Sequence, residues 1–221
     1  MFDWFKKNTK RLSLPEFWNH YEDSFKDDEN LTLKSARFVV LDTETTGFDY
    51  HIDRVLCIGA VDIMNYEIQV ANSFEVYIQQ ERFNEKTVPI HGIIKNERIS
   101  TLTEIEAIER FLDYLGNAII VAHHTKFDVT MINNMLQRHG FPKLKNKVLD
   151  TVNLYRETKI RTNFNQNETL SLDHIADKYL LDVSDRHTAA GDALLTALIF
   201  LKTTTILQNK KDWTLKDMLK L

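Results

Sequence analysis

The sequence predicts an α/β fold: a mixed five-stranded sheet flanked by helices, with an N-terminal extension. Three observations predict it. Phe38-Val39-Val40-Leu41 is an unbroken apolar run, as expected of a central strand buried on both faces. From Arg37 onward, short β-branched and apolar runs alternate with amphipathic stretches. Three strand-like runs come first and only then do helix and strand alternate, which is the order of a mixed sheet rather than a purely parallel one.

The elements follow in order. Residues 1–35 form an extension in which Phe2, Trp4, Phe5, Phe17, Trp18, Tyr21 and Phe25 fall among charges, broken by Pro15. So much aromatic surface needs a cover, either the main domain or a partner. After the strand at Phe38, Arg54–Asp62 reads as a second. Gln69–Ile78 reads as a third, with Val70, Phe74, Val76 and Ile78 on one side. Thr103-x-x-Glu106 is a capping-box signature, and Ile105, Ile108, Leu112 and Leu115 recur at helical spacing until Gly116. Ala118–Ala122 is a buried strand, followed by a helix from Phe127 to His139 that stops at Gly140. Lys147–Asp150 reads as a short fifth strand, and helices over Thr151–Thr158, Ser171–Leu181 and Thr188–Leu207 complete a catalytic domain of residues 36–207 with a tail of 208–221. In the last helix Ala190, Ala193, Leu194, Ala197, Leu198 and Leu201 are expected to face the sheet.

Composition narrows the function classes. In 221 residues, 43% hydrophobic and 27% charged, there is room for one domain plus an extension, and disordered, collagen-like and disulfide-scaffold classes are excluded. Lys and Arg number 28 against 32 Asp and Glu, a net charge of −4, which argues against coating nucleic acid by bulk positive charge but leaves a nucleic-acid enzyme open. The single cysteine, Cys57, forbids an internal disulfide, reads as a core residue, and suits a reducing, cytoplasmic location. No apolar run approaches the roughly 20 residues of a bilayer span, so no membrane is expected as a partner. The start MFDWFKK lacks the apolar core of a signal peptide. No Walker loop, Gly-x-Ser-x-Gly elbow or dinucleotide-binding glycine pattern occurs.

Three clusters carry chemistry. Asp42 and Glu44, two apart at the end of the first strand, point their carboxylates to one side, where burial and repulsion raise a pKa unless a cation neutralises them; both could equally sit in a solvated turn. Asp128 follows in His123-His124-Thr125-Lys126-Phe127-Asp128, where the Thr125 spacing also allows a helix cap. Asp192 follows His187 by five residues; with Thr188 as N-cap, His187 hangs in the preceding loop and can swing toward Asp192, or the two simply form a polar pair. Asp150 before Thr151 reads as a helix cap. Together Asp42, Glu44, Asp128 and Asp192 supply hard oxygen ligands suited to two divalent cations, Mg²⁺ or Mn²⁺, and His187 is the residue type best matched to taking a proton from water near neutral pH. Lys143, Lys145, Lys147, Lys159, Arg161 and Arg186 could line a path for a nucleic-acid backbone, or each could simply belong to a solvated charged face.

The sequence of motifs DTETTG, HHTKFD and RHTAAGDA resembles the DEDDh family of 3′→5′ exonucleases, most closely the branch of the proofreading epsilon subunit of bacterial DNA polymerase III and its stand-alone relatives. The resemblance spans about Arg37 to Leu207. It implies a ribonuclease-H-like fold and release of nucleoside 5′-monophosphates from 3′ ends of DNA, single-stranded or frayed, in proofreading or repair. It also implies that Asp42 bridges both metals, Glu44 holds one of them and the attacking water, Asp128 serves the second metal and Asp192 the first, and His187 is the general base. Thr45, His91 and Phe127 would contact the terminal nucleotide. His124 stands where the family usually has Asn. A polymerase subunit is a candidate partner, and Arg11-Leu12-Ser13-Leu14-Pro15 is similar to peptides that bind sliding clamps, through Leu12 and Leu14. Two other readings remain: an RNA 3′-end exonuclease of oligoribonuclease type, and a catalytically silent module that binds nucleic acid or scaffolds a polymerase.

Overall fold

A computed structural model describes residues 14–26, 31–80, 100–159 and 170–221. Its six strands are β1 (Phe38–Thr45), β2 (Val55–Met64), β3 (Glu67–Ile78), β4 (Thr101–Leu102), β5 (Ile119–Ala122) and β6 (Val148–Asp150), in the order β4-β3-β2-β1-β5-β6. The helices are α1 (Glu16–Asp23), α2 (Glu104–Leu115), α3 (Lys126–Arg138), α4 (Thr151–Thr158), α5 (Leu172–Lys178), α6 (Ala189–Lys210) and α7 (Leu215–Met218). The sheet is mixed: β1 and β2, and β2 and β3, run antiparallel, whereas β5 is parallel to both β1 and β6. The five expected strands are all present. The sixth, β4, is a two-residue parallel pairing with Tyr77 and Ile78, too short to leave a periodic signal in the sequence.

Strand β1 organises the core because its side chains alternate between two helical layers. Val39 and Leu41 enter a cluster with Trp18, Ile108, Phe111, Leu112, Ile132 and Met135, under α1, α2 and α3. Phe38 and Val40 enter the opposite cluster with Val121, Leu154, Ala197, Phe200 and Leu207, under α4 and α6. A third cluster joins α4, α5 and α6 through Tyr155, Ile175, Leu195 and Ile199.

The described residues of both flanking segments pack on this frame. Trp18 and Tyr21 of α1 are buried, Trp18 stacked on Phe141 with ring centroids 5.4 Å apart. The Tyr21 hydroxyl donates to Asn146 Oδ1 at 2.6 Å and accepts the Lys145 N–H at 2.8 Å. Leu14 packs against the same cluster, while Leu12 lies outside the described residues. At the other end α6 runs to Lys210, and Leu215 and Met218 of α7 are buried in the second cluster.

Three expected faces differ. Val70 is exposed, because the β2–β3 register shifts between Ala60 and Asp62 and residues 70–73 lose their strand partners. Ile105 is exposed in the first turn of α2, whose buried stripe instead includes Ala107 and Phe111. In α6, Ala193, Leu195, Ala197, Ile199 and Phe200 are buried, whereas Ala190, Leu194, Leu198 and Leu201 are half-buried. That helix is apolar nearly all round, so its periodicity selects no single face. By length and composition α6 could also cross a bilayer, but here it is a core helix lying against β1 and β2.

Candidate active site

The alternation of β1 continues into its polar end. Pairing with β2 persists to Thr45, so Asp42 and Glu44 lie on a paired strand and not in a turn. They share the parity of Phe38 and Val40 and therefore face α6, which carries Asp192. Thr43, of opposite parity, faces α3: its N–H and hydroxyl both donate to Asp128 Oδ1, at 3.0 and 2.7 Å. Asp128 therefore does not form a capping box with Thr125. Thr125 makes no side-chain cap there, and its hydroxyl instead donates to the carbonyls of Ala122 and Leu149.

Close approach of α6 to β1 depends on Gly59. It lies directly across from Asp42 in the β1–β2 ladder, and a Cβ there would collide with the backbone of Ala189 and Ala190. A glycine inside a strand is a sign of such contact. Thr188 is the N-cap of α6, its hydroxyl accepting the Gly191 N–H at 3.0 Å, and this fixes Asp192 in the first turn.

The result is a knot of acids. One carboxylate oxygen each from Asp42, Glu44 and Asp192 lie within 4.8 Å of one another. Burial first, then repulsion from Asp128, Asp192 and Glu44, pushes the Asp42 carboxyl well above the usual carboxylate range. Burial and Asp192 push Glu44 up to about 7. Asp128 is also pushed to about 7 by burial, against the opposing effect of its Thr43 hydrogen bonds. Asp192 Oδ1 is buried with no hydrogen-bond partner, while Oδ2 pairs with Arg186. Clustered hard oxygens, raised pKa values and an orphaned buried acceptor together fit a divalent cation.

With Asp42, Glu44 and Asp128, the residues Thr43, Thr45, Gly47, Phe48, His123, His124 and Phe127 line a cleft of about 280 Å³. The Thr45 hydroxyl donates to the Gly47 carbonyl at 2.8 Å and shapes the turn. Phe48 is 74% exposed, and its ring lies 5.8 Å from that of Phe127, which in turn contacts Tyr50. Sequence reasoning missed Phe48. An aromatic directly after DTETTG, at the lip of an acidic cleft, was the available signal.

His187 is exposed in the loop before α6, with φ +67°. His91 lies outside the described residues. His124 also has positive φ, +61°, and its N–H donates to Asp150 Oδ1 at 3.2 Å. Left-handed backbone is tolerated by Asn better than by most residues, so the departure at 124 concerns backbone conformation. Asp150 is the expected helix cap: it accepts from the N–H groups of His124, Thr125 and Val152. His123 Nε2 donates to the Leu170 carbonyl at 2.9 Å and Nδ1 accepts from Thr151; burial holds its pKa down at about 4, so it stays neutral.

The basic path thins out. Arg186 pairs with Asp173 and Asp192, Lys145 with Glu22, and Lys159 lies over the Tyr155 ring at 4.4 Å; Arg161 lies outside the described residues.

Residues 39–200 match the RNase_T family, described as Exonuclease. DNA polymerase III PolC-type from Staphylococcus aureus is 32% identical over 175 residues, which is 79% of this chain but only 12% of that relative's length. Among solved structures, E. coli Exonuclease I in complex with a dT13 oligonucleotide superposes with a TM-score of 0.68 at 19% identity, over 80% of this chain and 42% of that one. Exonuclease X in complex with 5′ overhanging duplex DNA gives 0.61 at 20% identity, over 83% and 98%. These neighbours share the ribonuclease-H-like fold. With the family match covering most of the chain, the chain belongs to the RNase_T exonucleases, the DEDDh 3′→5′ exonuclease family.

Proposed function

We propose that this chain hydrolyses the terminal phosphodiester of DNA at single-stranded or frayed 3′ ends, releasing nucleoside 5′-monophosphates in proofreading or repair. The observation that carries this reading is the convergence of Asp42, Glu44 and Asp192 beside the buried Asp128. These four would hold two divalent cations, Mg²⁺ or Mn²⁺. Bound there, such a pair stabilises the attacking and the leaving oxygens of an in-line displacement.

The chain's own residues supply the rest. Glu44, at the cleft face of the strand end, orients the attacking water, and His187 takes its proton. Phe48 and Phe127 offer ring faces to the terminal base, and Thr45 holds the turn on which Phe48 stands. DNA is favoured by what the relatives are named for: a DNA polymerase III, and exonucleases seen with DNA. A DNA polymerase is the corresponding partner. The unpaired, buried Cys57 suits a reducing cytoplasm.

A time course on 3′- and 5′-labelled DNA and RNA of one sequence, with and without Mg²⁺, tests the proposal. Stepwise shortening of 5′-labelled DNA from its 3′ end, only with metal, is expected. Faster cutting of RNA would move the enzyme to RNA ends, and no cutting of either would favour a silent module.

A further inference from the structure

Arg186 has a position that the catalytic reading does not use. Its Nε and Nη2 donate to the two carboxylate oxygens of Asp173 at 2.6 and 3.2 Å, while Nη1 pairs with Asp192 Oδ2. One guanidinium therefore spans an exposed acid on α5 and a buried acid of the metal cluster. Its side chain is 15% exposed, against 60% for Asp173 and 9% for Asp192. Its charge also acts on Asp42 and Glu44, so it opposes the repulsion among the acids.

A guanidinium cannot shed its proton at any working pH, so this positive charge leaves the cluster only if the side chain moves. Divalent cations bound to the same carboxylates would place more positive charge beside it. At short range in a partly buried site that repulsion is substantial. Asp173 offers the alternative seat, because its bidentate grip can retain Arg186 after Asp192 is given up.

We infer that Arg186 is a built-in counter-cation that competes with divalent metal for Asp192, with Asp173 as the anchor that receives it when metal arrives. Arg186 is thus a positioning residue. It keeps the metal-free acids together, and it ties the loop carrying His187 to α5 in both states. The inference rests on the proposed metal site and extends it to a determinant of metal affinity.

Calorimetric titration of the metal-free protein with Mn²⁺ separates the two. In Arg186→Met, which keeps an unbranched apolar stem and removes the charge, Mn²⁺ should bind roughly tenfold more tightly. In Asp173→Asn the anchor weakens, Arg186 settles more fully on Asp192, and Mn²⁺ should bind several-fold more weakly. A merely structural role would weaken binding in both variants. If Mn²⁺ binds the wild type but Arg186→Met binds it no more tightly, the counter-cation is wrong and the metal site stands. Should Arg186→Met fail to fold, Arg186→Gln, neutral but still able to hydrogen-bond, takes its place with the same expectation, and binding no tighter than wild type there overturns the inference. A wild type that takes up no Mn²⁺ overturns both.

Discussion

Asp42 sits on a paired strand and Asp128 and Asp192 inside helices, all three supported by the core beneath β1, whereas His187 sits on an exposed loop at positive φ, just before the N-cap of α6. The acids are placed by sheet register and helix packing, which substrate cannot alter. The histidine is placed by a few loop residues and by Arg186, which can. Ligand geometry is therefore a property of the folded chain, and proton handling is a property that contact with metal and substrate completes.

Breaking the rigid side gives the largest effect. Asp42→Asn should reduce exonuclease activity to background, yet leave a folded protein. Because it removes one of four mutually repelling acids, the metal-free variant should melt a few degrees higher than wild type by calorimetry, on the order of 2–4 °C per kcal/mol relieved. A lower melting point would mean that Asp42 holds the fold together.

Breaking the loop side is milder. His187→Ala should slow turnover roughly 10²–10⁴-fold and shift stability by no more than about 0.5 kcal/mol. A rate within twofold of wild type would assign the proton to another acceptor.

The rigid side should also respond to pH. Glu44 and Asp128 have folded values of about 7, above the 4.5 and 3.8 of free carboxyls, so the native metal-free state binds more protons than the unfolded one across that window. Their contribution is present below the unfolded values and is lost as pH rises through 7. Bound metal offsets the same repulsion, so the rise in melting temperature with Mg²⁺ should be larger at pH 8 than at pH 5.5. Equal shifts at both would place the cation away from these carboxylates.

The smallest effect probes the other left-handed histidine. His124→Asn relieves a strained backbone and should stabilise the protein by about 0.5 kcal/mol with little change in rate, measured by urea unfolding.

Much of this was legible. The apolar run at Phe38, the Thr103 and Thr188 caps and the three acidic motifs specified the sheet and the acids, because strand and helix periodicities are local. The parity of β1 even predicted that Asp42 and Glu44 would share a face. What was not legible depends on contacts distant in sequence. Thr43 serves Asp128 from 85 positions away, and Arg186, which the sequence left open as part of a nucleic-acid path or of a solvated face, is committed to Asp173 and Asp192. Val70 was misplaced because a register shift resets the two-residue period without any mark in composition.

Gly59 has no side chain to bind, donate or accept anything. Yet in a scan of every position for lost function it should score beside Asp42, since whatever replaces it pushes the first turn of α6 off the sheet and separates the acids. Such a scan would count an empty volume among the active-site residues.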